Sequence, residues 1–266
     1  MSERNVDYEV KNGIAYVTMD RPEKLNAITI PMTNRILECL SEAGKDPKVK
    51  VVVFRGVGRA FSTGADHNEM DNLIEKWRKD PFAYMNYLRN TDQKMVLSIR
   101  AFEKPTIAAV NGYAIGVGSG IAYACDFRVA STEAKFQEVF VRIGLSPGEG
   151  AISMLSRLVG FSKATEMILT GKTVDAQEAY RIGLVTNVVP PDKLEAEVDS
   201  LAQTLLKCAP LALRAAKSGL NRLMLHELDQ DMERAAFVLY ALKNTADHQE
   251  ALRAFLEKRP AKFKGE

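Results

Sequence analysis

The stretch Ala60-Phe61-Ser62-Thr63-Gly64-Ala65-Asp66 decides the fold, because it has a counterpart later in the chain, Asn111-Gly112-Tyr113-Ala114-Ile115-Gly116-Val117-Gly118. Each stretch places glycines and other small residues directly after an apolar segment typical of a strand, 51–54 in the first case and 106–110 in the second. Such residues leave room for two backbone N–H groups to converge on one ligand oxygen. Two of these turns, from distant parts of one chain, predict an oxyanion hole.

The composition is that of an ordinary globular protein. The 266 residues can bury a full core, as one large domain or a domain with an appendage, and 46 % of them are hydrophobic and 26 % charged. The net charge of +2 indicates neither a nucleic acid nor a membrane surface as partner, and no apolar run is long enough to span a membrane. The polar N-terminus lacks the apolar core of a signal peptide, so we expect a cytoplasmic protein.

The cysteines agree with a cytoplasmic location. Cys39, Cys125 and Cys208 are far apart and form no C-x-x-C pair, which is typical of thiols in a reducing compartment. They predict neither a disulfide framework nor a zinc site, and we expect no metal ion.

Strand-like and helix-like segments alternate up to residue 190. A hairpin is predicted for 7–19 around Asn12-Gly13, and a helix from Thr29 or Thr33 to about Ala43. The further expected elements are strands at 50–55, 106–110 and 126–130 and helices at 70–100, with a break near Asp80-Pro81, and at 118–125. This alternation favours an α/β fold built from βαβ units with right-handed crossovers.

The chain changes character at Pro190-Pro191. From Asp192 to Lys258 the pattern is helical throughout, with Pro210 opening one helix and no strand-like run. We therefore expect two units, a core formed by residues 1–190 and a helical region formed by residues 191–266. The helical region would pack on its own core or be used between subunits.

An ordered series of motifs resembles the crotonase, or enoyl-CoA hydratase/isomerase, family over nearly the whole chain. Besides the two glycine-rich turns, the motifs are Arg21-Pro22, Leu25-Asn26-Ala27, Lys104-Pro105, Ala124-Cys125-Asp126, Leu169-Thr170-Gly171, Ala176-Gln177-Glu178-Ala179, Gly183-Leu184-Val185 and the segment 254–259. One glycine-rich turn alone is weak evidence for a function, whereas the ordered set is specific.

The resemblance implies the crotonase (ClpP-like) fold, with stacked ββα units and a C-terminal helical region that builds trimers, which often pair into hexamers. It implies a coenzyme A thioester as substrate, and no cofactor besides the coenzyme A of that thioester. The oxyanion hole would be formed by the N–H groups of Ala65 and Val117, where Val117 replaces a common glycine but keeps the donor. Losing one such donor costs roughly 2.7–4 kcal/mol of transition-state stabilisation.

Residues that hold coenzyme A are also implied by the resemblance. Ser62, Thr63 and Gly64 match the part of the family that holds the adenine. Lys24, and Phe255 with Lys258, match positions that help hold coenzyme A, the last two reaching a neighbouring subunit. Taken singly, either lysine also fits a solvated surface charge.

Both glutamates of the family's hydratases are missing. A hydratase uses two because water adds a group to each carbon of the double bond, which calls for an acid and a base at separate atoms. The resemblance places the first glutamate at the position of Gly120 and the second at the position of Phe140. Chemistry that needs this pair of carboxylates is therefore not expected.

The remaining carboxyl candidate is Glu149, in Ser146-Pro147-Gly148-Glu149-Gly150 before a predicted helix over 151–159. Family members that move double bonds often carry a lone glutamate in this turn, typically one position earlier. Apolar neighbours such as Phe140 and Leu145 would raise its pKa toward neutrality, as a reversible base requires. The alternative is that Glu149 only caps the helix and interacts with its dipole.

Three other polar residues are weaker candidates. His67 follows the first turn and could act as an acid or a base, or lie at the surface of a helix N-terminus. Asp66 is expected to cap that helix. Glu138 adjoins the missing second site but should point to the opposite face of its extended segment, which argues against a catalytic role.

The best-fitting interpretation is an enzyme of the hydratase/isomerase group that moves a double bond in an enoyl-CoA, with Glu149 as a single proton shuttle. An atypical enoyl-CoA or dienoyl-CoA hydratase is the nearest rival, with His67 or a bound water completing the pair. A hydrolase or decarboxylase needs little more than the oxyanion hole, and an inactive acyl-CoA-binding protein would also lack both glutamates. The expected partners are an acyl-CoA and further copies of this chain in a homotrimer or homohexamer.

Overall fold

The protein, described here by a computed structural model, is placed for residues 5–66, 69, 80–225 and 228–265. The strands, in chain order, are β1 (Val6–Lys11), β2 (Ile14–Met19), β3 (Val51–Gly56), β4 (Ala60–Ser62), β5 (Thr106–Val110), β6 (Tyr113–Ile115), β7 (Phe127–Ser131), β8 (Lys135–Gln137), β9 (Val174–Asp175) and β10 (Asn187–Val189). The predicted strands at 50–55, 106–110 and 126–130 correspond to β3, β5 and β7, and these predictions are confirmed within about one residue.

The α-helices, in chain order, are α1 (Ile30–Lys45), α2 (Pro81–Asn90), α3 (Asp92–Ala101), α4 (Val117–Ala124), α5 (Ala151–Val159), α6 (Phe161–Thr170), α7 (Ala176–Arg181), α8 (Leu194–Leu206), α9 (Pro210–Leu225), α10 (Leu228–Lys243) and α11 (Ala246–Leu256). Short 3₁₀ helices cover Pro22–Lys24, Phe140–Ile143 and Pro191–Lys193. Part of the helix predicted over 70–100 lies outside the described residues, and the described part is α2 and α3.

The N-terminal elements form as their sequence predicts. β1 and β2 pair antiparallel with Lys11 opposite Ile14, and the two turn residues Asn12 and Gly13 have φ of 51° and 83°. Both values lie in the left-handed region that a two-residue hairpin turn requires. Helix α1 begins after Thr29, whose hydroxyl accepts a hydrogen bond from the Met32 amide at 3.3 Å. Thr29 is therefore the cap, rather than Thr33.

Strands in the described residues form two sheets. One sheet has the order β1-β2-β3-β5-β7-β10, and its strands are parallel except for the pair β1 and β2. The other has the order β4-β6-β8-β9, with only β8 and β9 antiparallel. The alternation of helices with mostly parallel strands confirms the predicted α/β class.

Helices cover both faces of the larger sheet. On one face Val52 and Phe54 of β3 pack in a cluster with apolar residues of α1, α3 and α4. On the other face Val51 and Val53 pack against Leu194, Val198, Ala202 and Leu205 of α8. Successive residues of a strand point to opposite faces, so a strand buried on both faces is apolar at every position.

The helical region after residue 190 packs on the core unit. Helix α8 lies on the large sheet, and α10 packs with Ala236 and Leu239 against Tyr84 and Leu88 of α2. Helix α9 is joined to the core through Lys217, whose ammonium lies 2.6 Å from a carboxylate oxygen of Asp126. Within the described residues, α8 and α10 thus use the core of the first unit, instead of building a separate one.

Candidate active site

The smaller sheet brings the two glycine-rich turns together. β4 and β6 are parallel neighbours, with Ala60 opposite Tyr113 and Ser62 opposite Ala114, so the residues that follow each strand emerge side by side. Gly64 has a φ of 92°, and a Cβ added to it would lie 2.9 Å from the carbonyl oxygen of Ile115 and 3.4 Å from the amide nitrogen of Val117. Both the close approach and the backbone conformation require glycine at this position.

Two amides at this junction remain available to a ligand. Among the described residues, neither the N–H of Ala65 nor that of Val117 donates a hydrogen bond, although the amides beside them do. Gly64 donates to the Ser62 hydroxyl at 3.2 Å and Gly116 donates to the Gln137 carbonyl at 3.0 Å. Val117 is the first residue of α4, where an N–H has no partner within the helix and the helix dipole favours an anion. Ala65 and Val117 both line one pocket.

Buried side-chain contacts hold the first turn in place. Asn26 is fully buried, and its amide nitrogen donates to the carbonyl oxygens of Val57 at 3.0 Å and Ala60 at 2.8 Å. The guanidinium of Arg21 lies 2.5 Å from a carboxylate oxygen of Asp66. The other oxygen of Asp66 accepts from the Glu69 amide at 3.2 Å, which is the capping contact predicted for it. The conformation of the turn is therefore preorganised.

The pocket beside the two amides is largely apolar and is built from several distant segments. Its residues come from both turns, from α2 and α3, from the 139–149 segment and from α10 and α11, and they are Thr63, Gly64, Ala65, Tyr84, Leu88, Asp92, Gly116, Val117, Val139, Phe140, Ile143, Leu145, Gly148, Glu149, Leu239, Lys243, His248 and Leu252. Phe140, at the position of the family's second glutamate, is one of the apolar wall residues. The carboxyl groups of this pocket are those of Asp92 and Glu149, as far as the structure describes it.

Glu149 is buried, with 2 % of its surface exposed, and its Oε2 accepts a hydrogen bond from the Gly148 amide at 2.8 Å. Burial raises its pKa to about 7, against the lowering effect of the backbone amides, and the nearby charge of Asp92 raises it further. The expectation that an apolar setting moves the pKa of Glu149 toward neutrality is confirmed. A group with this pKa can both accept and return a proton near neutral pH.

Glu138 lies directly beside Glu149, and the prediction that it points to the opposite face was wrong. It is fully buried, and its Oε1 lies 2.7 Å from the hydroxyl of Ser119. Burial raises the pKa of Glu138 well above its ordinary range, and the charge of the nearby Glu149 raises it further. The prediction failed because residues two apart in an extended segment share a face: Glu138 is buried on the same side as Phe136 of β8, as the alternation itself requires.

The residues expected to hold coenzyme A occupy different environments. Ser62 is fully buried and its hydroxyl is used by the Gly64 amide, whereas the Thr63 hydroxyl donates to the Leu25 carbonyl at 3.3 Å. Thr63 and Gly64 line the pocket. The other three expected residues lie on exposed surfaces away from that lining: Lys24 ends a 3₁₀ helix, and Phe255 and Lys258 lie at the end of α11. His67 lies outside the described residues.

Sequence reasoning missed the polar residues that α3, α10 and α11 contribute to the pocket. Burial raises the pKa of Asp92 to about 6, and the charge of Lys243 opposes that rise. The ammonium of Lys243 lies 5.0 Å from the centre of the Tyr84 ring, and Nδ1 of His248 donates to the Ile143 carbonyl at 2.6 Å. These residues belong to helices far apart in sequence, and nothing in the spacing of any one helix indicates that they share a cavity.

None of the helices in the described residues is both long and apolar enough to cross a bilayer. No group of three or more histidine, cysteine, aspartate or glutamate side chains in that part of the chain is arranged to hold a metal ion.

Comparison with known proteins identifies the family. The sequence profile of the family described as Enoyl-CoA hydratase/isomerase matches residues 9–266. The crotonyl-CoA hydratase of Syntrophomonas wolfei is 36 % identical over 264 residues, covering 99 % of each chain. A solved enoyl-CoA hydratase from Mycobacterium avium subsp. paratuberculosis has a TM-score of 0.85 and 35 % identity over 98 % of each chain. A monofunctional enoyl CoA isomerase from M. smegmatis has a TM-score of 0.67 and 34 % identity over 85 % of this chain and 94 % of the other.

Fold and site together define a crotonase-fold protein with a preorganised pair of amides at a largely apolar pocket. The chain belongs to the enoyl-CoA hydratase/isomerase family. It is an acyl-CoA enzyme of that group, and the names of the relatives leave hydration and isomerisation both open.

Proposed function

We propose that this enzyme moves a carbon–carbon double bond in an enoyl-CoA, with Glu149 as the single proton shuttle. The observation that carries the proposal is the position of Glu149. Its side chain packs against Gly120, one turn along α4 from the Val117 amide, so its carboxyl group lies in the pocket close to the predicted oxyanion hole. A carboxyl group there, with a pKa of about 7, has the basicity that reversible proton transfer requires.

The chemistry needs one base and one anion site. For a 3-enoyl thioester, the Glu149 carboxylate removes a proton from C2, and the electron pair of that C–H bond delocalises onto the thioester oxygen and C4. The Ala65 and Val117 amides donate to the oxygen as its negative charge grows. Glu149, now neutral, returns the proton to C4, which leaves the double bond between C2 and C3. The two proton transfers conserve atoms and charge, and Glu149 is again a carboxylate at the end.

The positions of Gly120 and Phe140 argue against the usual hydration mechanism. A glycine and a phenylalanine stand where the family's hydratases carry their acid and base, and Phe140 makes its part of the wall apolar. A drier pocket also favours the proposed reaction, because without bulk water the proton removed from C2 stays on Glu149 and is returned to C4 of the dienolate.

The test is a comparison of wild type and Glu149→Gln on 3-enoyl-CoA and 2-enoyl-CoA, in light and heavy water. The wild type should interconvert the two substrates. The rate of interconversion should be about 10²–10⁴-fold lower in the variant, since general acid–base catalysis contributes that much. Glu178→Gln is the matched control, because Glu178 lies on α7 and is held by Lys163 and Arg181 outside the pocket. Unchanged isomerisation in Glu149→Gln would refute the shuttle.

Hydration is the second candidate, because a relative as similar as the Syntrophomonas wolfei protein is named a crotonyl-CoA hydratase. Asp92 also supplies a second pocket carboxyl group with a raised pKa, and its charge acts on Glu149. In the same assay, formation of a 3-hydroxyacyl-CoA from the 2-enoyl-CoA, lost in both Glu149→Gln and Asp92→Asn, would support this candidate. Tight binding of the thioester with neither product nor hydrogen exchange would indicate an inactive acyl-CoA-binding protein.

We further propose that the chain assembles as a homotrimer, or as a hexamer of two trimers, through its helical region. Large apolar side chains are exposed along α9, α10, α11 and the segment after them: Leu211, Leu220, Leu223, Phe237, Phe255, Leu256 and Phe263. Large apolar side chains exposed on neighbouring elements of one region are typical of a surface that is buried against another subunit. Sedimentation equilibrium should give three or six times the monomer mass, and a monomer at micromolar concentration would contradict the proposal.

A further inference from the structure

Asp92 is a buried carboxyl group of the pocket that receives no hydrogen bond from the described residues. It is the first residue of α3, is 6 % exposed and lines the cavity that the Ala65 and Val117 amides also line. No N–H or O–H of the described residues donates to its carboxylate, and no cationic nitrogen among them lies within 4.0 Å of it. A buried carboxylate without a hydrogen bond is costly, so a ligand that donates to Asp92 is favoured.

Lys243 supplies a positive charge to the same cavity. It is the last residue of α10, is 9 % exposed and lines the pocket, with its ammonium nitrogen 5.0 Å from the centre of the Tyr84 ring. Its charge lowers the pKa of Asp92, so the two groups interact electrostatically although they do not form an ion pair. An apolar cavity therefore presents both a hydrogen-bond acceptor, Asp92, and a hydrogen-bond donor, Lys243.

The packing of α10 separates Lys243 from the turn that carries Glu149. A Cβ added to Gly148 would lie 2.0 Å from Cδ1 of Leu239, so α10 packs directly against the residue before Glu149. Lys243 follows Leu239 by one helical turn, which is about 6 Å along the helix axis. Lys243 therefore meets an acyl group away from the carbon atoms that exchange a proton with Glu149.

Different acyl groups would satisfy these two side chains to different extents. A hydrocarbon chain would cover both and offer a hydrogen bond to neither. A carboxylate would accept from Lys243 but would add a negative charge near Asp92, on which the charge of Glu69 already acts. A ketone would accept from Lys243 and leave Asp92 without a donor. A hydroxyl group can do both, because its O–H donates and its oxygen accepts.

We propose that the acyl group of the substrate carries a hydroxyl group, which donates a hydrogen bond to Asp92 and accepts one from Lys243. The two residues then determine specificity and take no part in the proton transfer. This proposal rests on the proposed function in one respect, that the pocket holds the acyl group. A site that binds a substrate hydroxyl rejects the analogue without it, because the buried polar groups of the site are then left unpaired.

Saturated acyl-CoA thioesters test the proposal without a reaction, because they have no double bond to move. In a series of increasing chain length, the acyl group would end in a methyl group, a hydroxyl group, a ketone or a carboxylate, and isothermal titration calorimetry would give each Kd. At the best chain length, wild type should bind the hydroxyl form about 10–100-fold more tightly than the methyl form, the equivalent of one hydrogen bond to a charged group.

The ratio of the two Kd values separates recognition from packing. Asp92→Leu should abolish the preference for the hydroxyl form because it removes the acceptor, and Lys243→Met should reduce the preference because it removes the donor. A variant that only disturbed the packing would weaken the hydroxyl and methyl forms equally and leave their ratio unchanged. Asp192→Leu is the matched control, since the Asp192 side chain is exposed and lies outside the pocket lining.

Three results would overturn the proposal: equal Kd values for the hydroxyl and methyl forms at every chain length, tightest binding of the ketone or the carboxylate, or an unchanged preference in Asp92→Leu. These results do not depend on the proton shuttle. If Glu149→Gln isomerised normally, the proposed function would fail, while the Kd ratios of the saturated thioesters would still decide whether Asp92 binds a hydroxyl group.

Discussion

Glu149 fills the space that a side chain at position 120 would require. A Cβ added to Gly120 would lie 2.7 Å from Cγ of Glu149, closer than two carbon atoms can approach without a shift. The family's first hydratase glutamate projects from this position of α4, whereas here the carboxyl group comes from the segment that precedes α5. The observed position of Glu149 therefore requires the absence of a side chain at position 120.

This relationship predicts the effect of Gly120→Ala. The added methyl group must displace Glu149, and a displacement of about 1 Å at a catalytic group can lower kcat by about 100-fold. Overpacking should also reduce the free energy of unfolding by about 1–3 kcal/mol. Steady-state kinetics and urea denaturation measure the two effects. Gly219→Ala on exposed α9 is the control, since a Cβ there meets nothing within 4 Å and should leave kcat unchanged.

The effect of removing one proposed oxyanion donor can be measured at Val117. Proline is tolerated at the first position of a helix but has no N–H, so Val117→Pro should preserve α4 and remove the donor. We expect kcat to fall by about 10²–10³-fold, the measured cost of losing one oxyanion-hole donor. Val117→Ala keeps the N–H and should remain close to wild type. Equal activity in the two variants would show that this amide does not bind the developing anion, provided that circular dichroism shows both folded.

The raised pKa of Glu149 predicts a pH-dependent stability. Its pKa rises from an ordinary 4.5 to about 7 in the folded chain. Between these values the folded state holds a proton that the unfolded state has lost, so this group's contribution to stability falls as pH rises and its full cost is present above pH 7. Glu149→Gln should therefore raise the free energy of unfolding by on the order of 2–3 kcal/mol at pH 8 and change it little at pH 4.

The control variant is Glu178→Gln, because the contribution of Glu178 to stability changes with pH in the opposite direction. The pKa of Glu178 is lowered to about 2 by its hydrogen bonds to Arg181 and Lys163, so its contribution is present above its ordinary pKa and is lost as pH falls. Glu178→Gln should not stabilise the protein at pH 8. A melting temperature of Glu149→Gln that follows wild type across the pH range would contradict the assignment of a raised pKa.

Asn26 should contribute more to stability than Asn12, the exposed asparagine in the turn of the β1–β2 hairpin. Asn26 and Asn12 both have positive φ, 55° and 51°, but only Asn26 is fully buried with hydrogen bonds to Val57, Ala60 and the Arg21 amide. Asn26→Ala leaves these buried groups unpaired and should cost about 2–4 kcal/mol. Asn12→Ala should cost only about 1 kcal/mol, from backbone strain. Chemical denaturation distinguishes the two, and equal losses would contradict the role given to the buried hydrogen bonds.

The strands and helices of the core were predictable because their signals are local. Asn12-Gly13 has the backbone preferences of a two-residue turn, Thr29 supplies a capping oxygen, and the run at 51–54 is apolar at every position as a strand buried on both faces must be. The two glycine-rich turns were also visible, because close backbone approach excludes larger side chains.

The contents of the pocket were less accessible to such reasoning. The importance of Glu149 followed from its turn and its apolar neighbours, but the position of Glu138 did not. Glu138 lies two residues after Phe136 and shares its buried face, but which side chains of other segments meet it there is not readable from the alternation of β8. Asp92, Lys243 and His248 have no common local pattern, because the helices that carry them meet only in the folded chain.

By itself the amino-acid sequence determined the α/β class, the family and the loss of both hydratase glutamates, since each depends on residue types at given positions. Tertiary structure alone decided that Glu149 takes the space beside Gly120 and that a second buried carboxyl group, that of Glu138, lies near it. The physical reason is that contact and burial depend on distances between segments distant in sequence. Those distances exist only after the sheets have paired and the helices have packed on them.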